Sequence, residues 1–255
     1  MRWIEFPAGP QLLEGLNVGA VDFGTTGETP PVIAQAAGAD LLYLAHEPAA
    51  PSSEAIVVPA TSELRSVADL KGRRVALNKG SNVHYLLVRA LQAHGLSITD
   101  IQPVYLPPAD ARAAFERGSV DAWVIWDPFL AAAQDQLRVR VLADGAGLVN
   151  NHQFYLGTRR LAEQQPEVVR VLLQELDRTG QWIAANPDQA VAQVAPLLGL
   201  SPAITRVAVT RLRYGISTLS PGTIQAQQAI ADTFHQLRLI PRALDVASIV
   251  WTPRP

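Results

Sequence analysis

No cysteine occurs among the 255 residues, which excludes disulfides, thiolate metal sites and cysteine nucleophiles together. No apolar stretch approaches the roughly 18 residues needed to span a bilayer, and the opening Met1-Arg2-Trp3-Ile4-Glu5 lacks the apolar core of a secretory leader. The chain as written is expected to be soluble and to carry no address. Basic runs are missing too: 21 Lys and Arg are scattered against 23 Asp and Glu, for a net charge of −2, so nothing tracks a phosphate backbone and nucleic acid is excluded as a partner. The five histidines show no H-E-x-x-H or other close ligand spacing, so no metal is expected. No serine lies in a G-x-S-x-G elbow and no carboxylates pair in sequence for acid/base work. Neither a Walker loop nor a dinucleotide fingerprint is found, so no cofactor is expected.

What remains is an ordinary globular composition, 48% hydrophobic and 17% charged, written in a strand, turn, helix rhythm that points to an α/β fold with mostly parallel sheets. Strands are expected at 2–6, 20–23, 41–45 and 55–58, with helices at 9–16 and 29–37. A Pro/Ala/Ser-rich connection follows at 48–53. Ser66 to Leu70 reads as a capped turn. A compact βαβαβ set comes next: strands at 74–77, 102–106, 122–125 and 140–142, and helices at 83–94 and 109–117. After a short strand from Phe154 the chain turns helical at 166–186, 187–198, 202–211 and 223–237, with prolines falling near helix starts. The preferred division is two lobes, one discontinuous (1–63 and 152–255) and one inserted (64–151).

Three strand ends meet helix starts through small polar residues: Gly24-Thr25-Thr26-Gly27-Glu28, Lys79-Gly80-Ser81-Asn82 and Trp126-Asp127-Pro128. In open α/β sheets ligands bind beyond the carboxyl ends of the strands, where helix N-termini offer N–H groups and partial positive charge, a setting that suits an anion. Glycine admits close backbone approach, and Thr or Ser adds a hydroxyl donor. The same residues also serve as ordinary helix caps, above all Glu28 and Asp127. His84 stands in the first turn of the second candidate helix. Trp126 either walls a pocket or packs between core and helix, while Trp123, three residues earlier on the opposite strand face, belongs to the core. His152 is placed near the return crossing between lobes.

Glu5-Phe6-Pro7-Ala8-Gly9-Pro10-Gln11, Val21-Asp22-Phe23-Gly24-Thr25-Thr26-Gly27-Glu28-Thr29-Pro30-Pro31 and Ala34-Gln35-Ala36-Ala37-Gly38-Ala39-Asp40 resemble the aliphatic-sulfonate-binding proteins of ABC importers. The middle agrees through Asp69-Leu70-Lys71-Gly72, Lys79-Gly80-Ser81-Asn82-Val83-His84, Pro108 to Phe115 and Val120 to Pro128. The D-L-K-G and W-D-P motifs recur across the nitrate, sulfonate and taurine binding proteins; E-F-P-A-G-P-Q and P-P-x-x-A-Q-A-A-G-A-D favour the sulfonate branch.

The resemblance implies a two-lobed type II periplasmic-binding-protein fold closing by a hinge on an alkanesulfonate or related small anion. It implies delivery to a membrane ABC permease with a separate ATPase, a monomer, and a periplasmic location for the full-length parent. Carried over by position, it points to Thr25, Thr26, Gly27, Lys79, Gly80, Ser81, Asn82, His84, Trp126 and Asp127 as ligand-binding. Members ordinarily begin with a secretory signal, then a strand and a helix ahead of Trp3-Ile4-Glu5-Phe6. This chain is therefore expected to be N-terminally truncated, with the first strand and helix of lobe 1 missing. Taurine, nitrate or another small anion remains an alternative ligand, an enzyme on the same fold an alternative class, and a receptor-coupled sensor domain a third.

Overall fold

The computed structural model describes residues 2–252, and the chain folds into two compact units. Unit 1 comprises Met1–Pro48, His152–Gln181 and Tyr214–Pro255; unit 2 comprises Ala49–Asn151 and Trp182–Arg213. The expected division differs at 49–63 and 182–213, and strand pairing explains the first difference. Strand β3 (Glu54–Pro59) bonds to β6 (Ala122–Trp126) and β7 (Val139–Asp144), so its backbone groups are satisfied inside unit 2. The second follows from packing, since Ile204 and Ala208 of α9 (Pro202–Arg211) bury against Ala131 and Ala132 of α5 (Phe129–Gln136).

Unit 1 holds a three-stranded sheet in the order β1-β8-β2, built from Phe23–Thr26, Phe154–Thr158 and Leu41–His46. β8 is antiparallel to both neighbours, so β1 and β2 run the same way, joined through α2 (Pro30–Ala36). Helices α1 (Gly9–Asn17), α6 (Arg159–Gln164), α10 (Pro221–Gln236) and, as far as Gln181, α7 (Pro166–Ala185) complete the set. Gly24 packs closely on α1: a Cβ there would stand 2.7 Å from Leu12 Cδ2, so the Leu12 side chain would have to move. The segment 2–6, expected as a strand, has no strand pairing, and Trp3 is 78% exposed. Its β-favourable composition does not by itself make a strand, since no neighbouring strand pairs with it.

Unit 2 holds a five-stranded sheet ordered β5-β4-β6-β3-β7, with β4 at Arg74–Leu77 and β5 at Gln102–Tyr105. β5, β4 and β6 are parallel and β3 is reversed. In each sheet the single reversed strand is the first one after the chain enters that unit. α3 (Asn82–Ala93) and α4 (Pro108–Glu116) cover opposite faces: Val83, Leu86, Leu87 and Leu91 pack on one side, Ala111, Phe115 and Trp123 on the other. α8 (Pro187–Leu198) pairs with α9. Ser201 and Ser220 cap α9 and α10 through the N–H groups of Ile204 and Thr223, and Ser66 and Asp69 form a reciprocal capping box on a 3₁₀ turn. Among the described residues no single helix is long and apolar enough to cross a membrane.

Candidate functional site

In unit 2 the parallel strands β4, β5 and β6 end at one edge of the sheet. Leu77 lies opposite Tyr105, and Ala76 opposite Trp123, so positions 79 and 126 stand equally far past their paired residues. The antiparallel neighbour β3 begins at the same edge, with Glu54 opposite Trp126. Parallel pairing therefore brings the loops that carry Lys79, Gly80, Ser81, Asn82 and His84 and those that carry Trp126 and Asp127 to the same edge of the sheet.

The loop from β4 into α3 is wound tightly. Gly80 has φ +76, a left-handed conformation that glycine adopts without steric cost. The Ser81 hydroxyl donates to Asn78 O at 2.8 Å, so its proton is already committed. The Gly80 N–H donates to His84 Nδ1 at 3.3 Å, which requires the imidazole to accept at Nδ1. His84 is buried, and burial, followed by the nearby Lys79 ammonium, pulls its pKa down to about 4. It is a neutral support for the loop rather than a cation. Lys79 is exposed, with Nζ 5.3 Å from the Tyr105 ring centroid, and the Tyr105 ring lies 5.9 Å from His84 edge to face. The N–H groups of Asn82 and Val83 open α3 and have no carbonyl four residues back within the helix to bond.

Asn82 is buried and its carboxamide is engaged from behind. Nδ2 donates to Glu54 Oε2 and, at 3.1 Å, to Asn151 Oδ1. Asn151, at φ +51, returns its own amide protons to Ala50 O (3.1 Å) and Ser53 Oγ (2.9 Å). Asp127 is likewise a support: Oδ1 accepts the Ala131 N–H at 2.9 Å, inside the first turn of α5, and both carboxylate oxygens face Arg211 Nη1 at 3.2 and 3.3 Å. Its side chain is 2% exposed, and burial raises its pKa against the lowering pull of Arg211 and the Ala131 N–H. Trp126 is half-buried, 6.1 Å from the Phe129 ring and nearly perpendicular to it, whereas Trp123 is fully buried against Phe115.

In unit 1 the candidates Thr25 and Thr26 lie within β1 rather than in the turn beyond it. Thr25 is exposed; Thr26 is buried and its hydroxyl donates to Gly27 O at 2.9 Å. Beside Thr25 in the register stands Tyr155, whose hydroxyl donates to Glu47 Oε1 at 2.6 Å. Burial raises the Glu47 carboxyl pKa and the Tyr155 bond opposes it, while Tyr214 is pushed up to about 12 by burial and then by Glu47. Glu28 is a buried organiser: its Oε2 accepts the His152 N–H at 3.3 Å and its carbonyl accepts from Gln227. His152 is the first residue of the return segment, Nδ1 lies 2.7 Å from Glu47 O, and its ring meets His46 edge to face at 5.0 Å.

Sequence reasoning missed Glu54, Tyr105 and Arg211 in unit 2, and Glu47 and Tyr155 in unit 1. Glu54 carried a signal, as the one charge heading the otherwise apolar run Glu54–Pro59. Arg211 carried none, because it lies 84 positions from Asp127. Among the described residues no group of three or more His, Asp or Glu is arranged to hold a metal.

Residues 4–190 match the family described as NMT1/THI5 like. The chain is 46% identical over 254 residues to the aliphatic sulfonates-binding protein of Escherichia coli K12, covering 99% of this chain and 80% of that one. Among solved structures, the alkanesulfonate-binding protein SsuA of Xanthomonas axonopodis pv. citri, bound to MOPS, superposes with a TM-score of 0.94 at 46% identity, covering 98% of this chain and 86% of the other. The periplasmic aliphatic sulphonate binding protein SsuA of E. coli gives a TM-score of 0.91 at 45% identity, with 99% and 82% covered. The α/β architecture, two sheets with flanking helices, is that of these periplasmic binding proteins. The chain belongs to the NMT1/THI5-like family and, within it, to the aliphatic-sulfonate-binding proteins.

Proposed function

We infer that this protein is the solute-binding component of an ABC importer, capturing aliphatic sulfonates for sulfur acquisition and handing them to a membrane permease driven by a separate ATPase. Its place of action is the periplasm, as for the relatives. One observation carries the ligand class: Lys79 is exposed at the entry to α3 with its ammonium over the Tyr105 ring, while the charge of Asp127, at the start of α5, is met by Arg211. A sulfonate head there gains the ammonium, the first-turn N–H groups and the positive end of the helix dipole. The relative's bound MOPS, itself a sulfonate, agrees with that chemistry.

The ligand-binding set is Thr25, Thr26 and Gly27 in unit 1, and Lys79, Gly80, Ser81, Asn82, His84, Trp126 and Asp127 in unit 2. Within it Lys79 meets the head group directly and Trp126 offers an apolar wall to the organic tail. Ser81, Asn82, His84 and Asp127 hold the loops in shape. The test is calorimetry and thermal shift with alkanesulfonates, taurine, nitrate, sulfate and a carboxylate, in sulfonate-free buffer. An alkanesulfonate at 100 times its Kd stabilises by about 2.7 kcal/mol, which raises Tm by roughly 5–10 °C in a chain of this size. Stabilisation by taurine or nitrate alone overturns the sulfonate assignment.

A further inference from the structure

Asn78 directly follows β4 and precedes Lys79, at the edge of the unit 2 sheet where the candidate site lies, and it is only 8% exposed. Its main chain is in use: the Asn78 carbonyl accepts the Ser81 N–H at 3.4 Å and the Ser81 hydroxyl at 2.8 Å, which shapes the turn into α3. Its side chain is not, for Oδ1 is buried and has no hydrogen-bond partner among the described residues. A buried carbonyl oxygen without a donor has lost its water and gained nothing, a state that folded chains keep to a few groups.

Strand alternation says what this oxygen stands beside. Val75 and Leu77 pack with Val83, Leu86 and Leu87 of α3, whereas Ala76 packs with Ala111, Phe115 and Trp123 on the opposite face. The β4–β5 ladder runs on past β4, since the Leu77 carbonyl accepts the Leu106 N–H at 3.0 Å, and continued alternation gives Asn78 the face of Ala76. Ala76 is paired with Trp123, so Ile125 is level with Asn78 on β6 and Trp126 comes next. Leu106, Ile125, Trp126 and Phe129 belong to the cluster on that face, and none of them donates to Oδ1. The free acceptor therefore lies on the side of the wall assigned to the organic tail. A plain alkyl tail leaves it unpaired; a tail bearing an O–H or N–H brings the missing donor, and an acceptor already stripped of water discriminates between the two.

We propose that Asn78 is a specificity-determining residue outside the set named above: its Oδ1 accepts a hydrogen bond from a hydroxyl or ammonium on the ligand's carbon chain, so the preferred ligands are hydroxy- and aminoalkanesulfonates and unsubstituted alkanesulfonates are held more weakly. The inference rests on the sulfonate reading and concerns the same site.

The experiment is titration calorimetry in cacodylate buffer with two matched pairs. 2-Hydroxyethanesulfonate is compared with 1-propanesulfonate, in which a methyl replaces the hydroxyl, and 2-methoxyethanesulfonate, whose ether oxygen cannot donate, with 1-butanesulfonate. The hydroxyl compound is expected to bind about fivefold or more tighter than its partner, and the methoxy compound no tighter than its own. In Asn78→Leu, of the same branching but apolar, the hydroxyl preference is expected to vanish while 1-propanesulfonate keeps its affinity. Without ligand that variant is expected to melt no lower than the native chain, because a buried acceptor with no partner has been removed. Equal affinities within the first pair overturn the proposal and leave the sulfonate reading standing. A gain shared by the methoxy compound, a preference that survives in Asn78→Leu, or a variant that melts well below the native chain, which makes Asn78 a structural group, overturns it as well. No binding of any sulfonate to the native chain overturns both readings.

Discussion

Arg211→Met isolates the ion pair that Arg211 makes with the buried Asp127 carboxylate. In the native chain Asp127 is 2% exposed, Arg211 24% exposed, and the guanidinium lies 3.2 Å from Oδ1. At that distance an effective dielectric of 20 gives a gross attraction of about 5 kcal/mol, partly offset by the cost of burying the guanidinium. Removing Arg211 leaves the carboxylate without its counter-charge, and the molecule escapes by protonating it. That escape sets a ceiling: holding a carboxyl of ordinary pKa near 3.9 neutral at pH 7 costs about 4 kcal/mol.

The expected loss at pH 7 is therefore about 2–4 kcal/mol, and it shrinks toward pH 5, where protonation is easier. Urea unfolding followed by circular dichroism at both pH values measures it. Asp127→Asn keeps an oxygen to accept the Ala131 N–H, so the double variant Asp127→Asn, Arg211→Met is expected to recover most of the loss. A loss below about 1 kcal/mol, equal at both pH values, or a double variant no more stable than Arg211→Met, would refute the reading of Asp127 as a buried, counter-charged support.

His84 has its folded pKa lowered to about 4, so its neutral form supports the fold fully above about pH 6.5, and that support is lost as pH falls toward 4. The contribution is at most about 3 kcal/mol; His84→Gln, which keeps an acceptor for the Gly80 N–H, is expected to flatten the profile of urea midpoint against pH over that window. Lys79→Met is expected to weaken alkanesulfonate affinity by about 10–100-fold and to reduce the dependence of Kd on salt, both read by calorimetry; unchanged affinity removes Lys79 from the site. Trp126→Ala is expected to weaken pentanesulfonate by about tenfold while changing methanesulfonate much less, a contrast that tests the tail wall by competition calorimetry. Gly24→Ala forces a Cβ against Leu12 and is expected to lower stability by about 1–3 kcal/mol, with Leu12→Ala relieving part of it in a combined thermal-melt series.

Much of this protein was legible in its sequence because the signals were local. Six of the described helices begin at Pro30, Pro108, Pro166, Pro187, Pro202 and Pro221, within two residues of the starts expected at 29, 109, 166, 187, 202 and 223, and a proline's missing N–H costs nothing in a first turn. The fully buried β2 and β3 announced themselves as short apolar runs, and the capping box at Ser66 and Asp69 could be read from spacing alone. The turn Lys79-Gly80-Ser81-Asn82 was likewise marked as the opening of a helix by its own chemistry.

What the side chains at that opening do was decided only by tertiary structure. Strand pairing set Glu54 behind Asn82 and aligned Lys79 with Trp126, because register joins residues that sequence separates. Arg211 reaches Asp127 across 84 positions and turns an apparent polar ligand into a neutralised cap, and folding buries His84 until it stays neutral beside a lysine. The same physics placed Gly24 to Thr26 inside a strand and left 2–6 without one, since a strand exists only where a neighbour completes its hydrogen bonds. Local sequence thus determined the elements and the turns between them; burial and charge pairing, which depend on distant partners, determined which polar groups remain for a ligand.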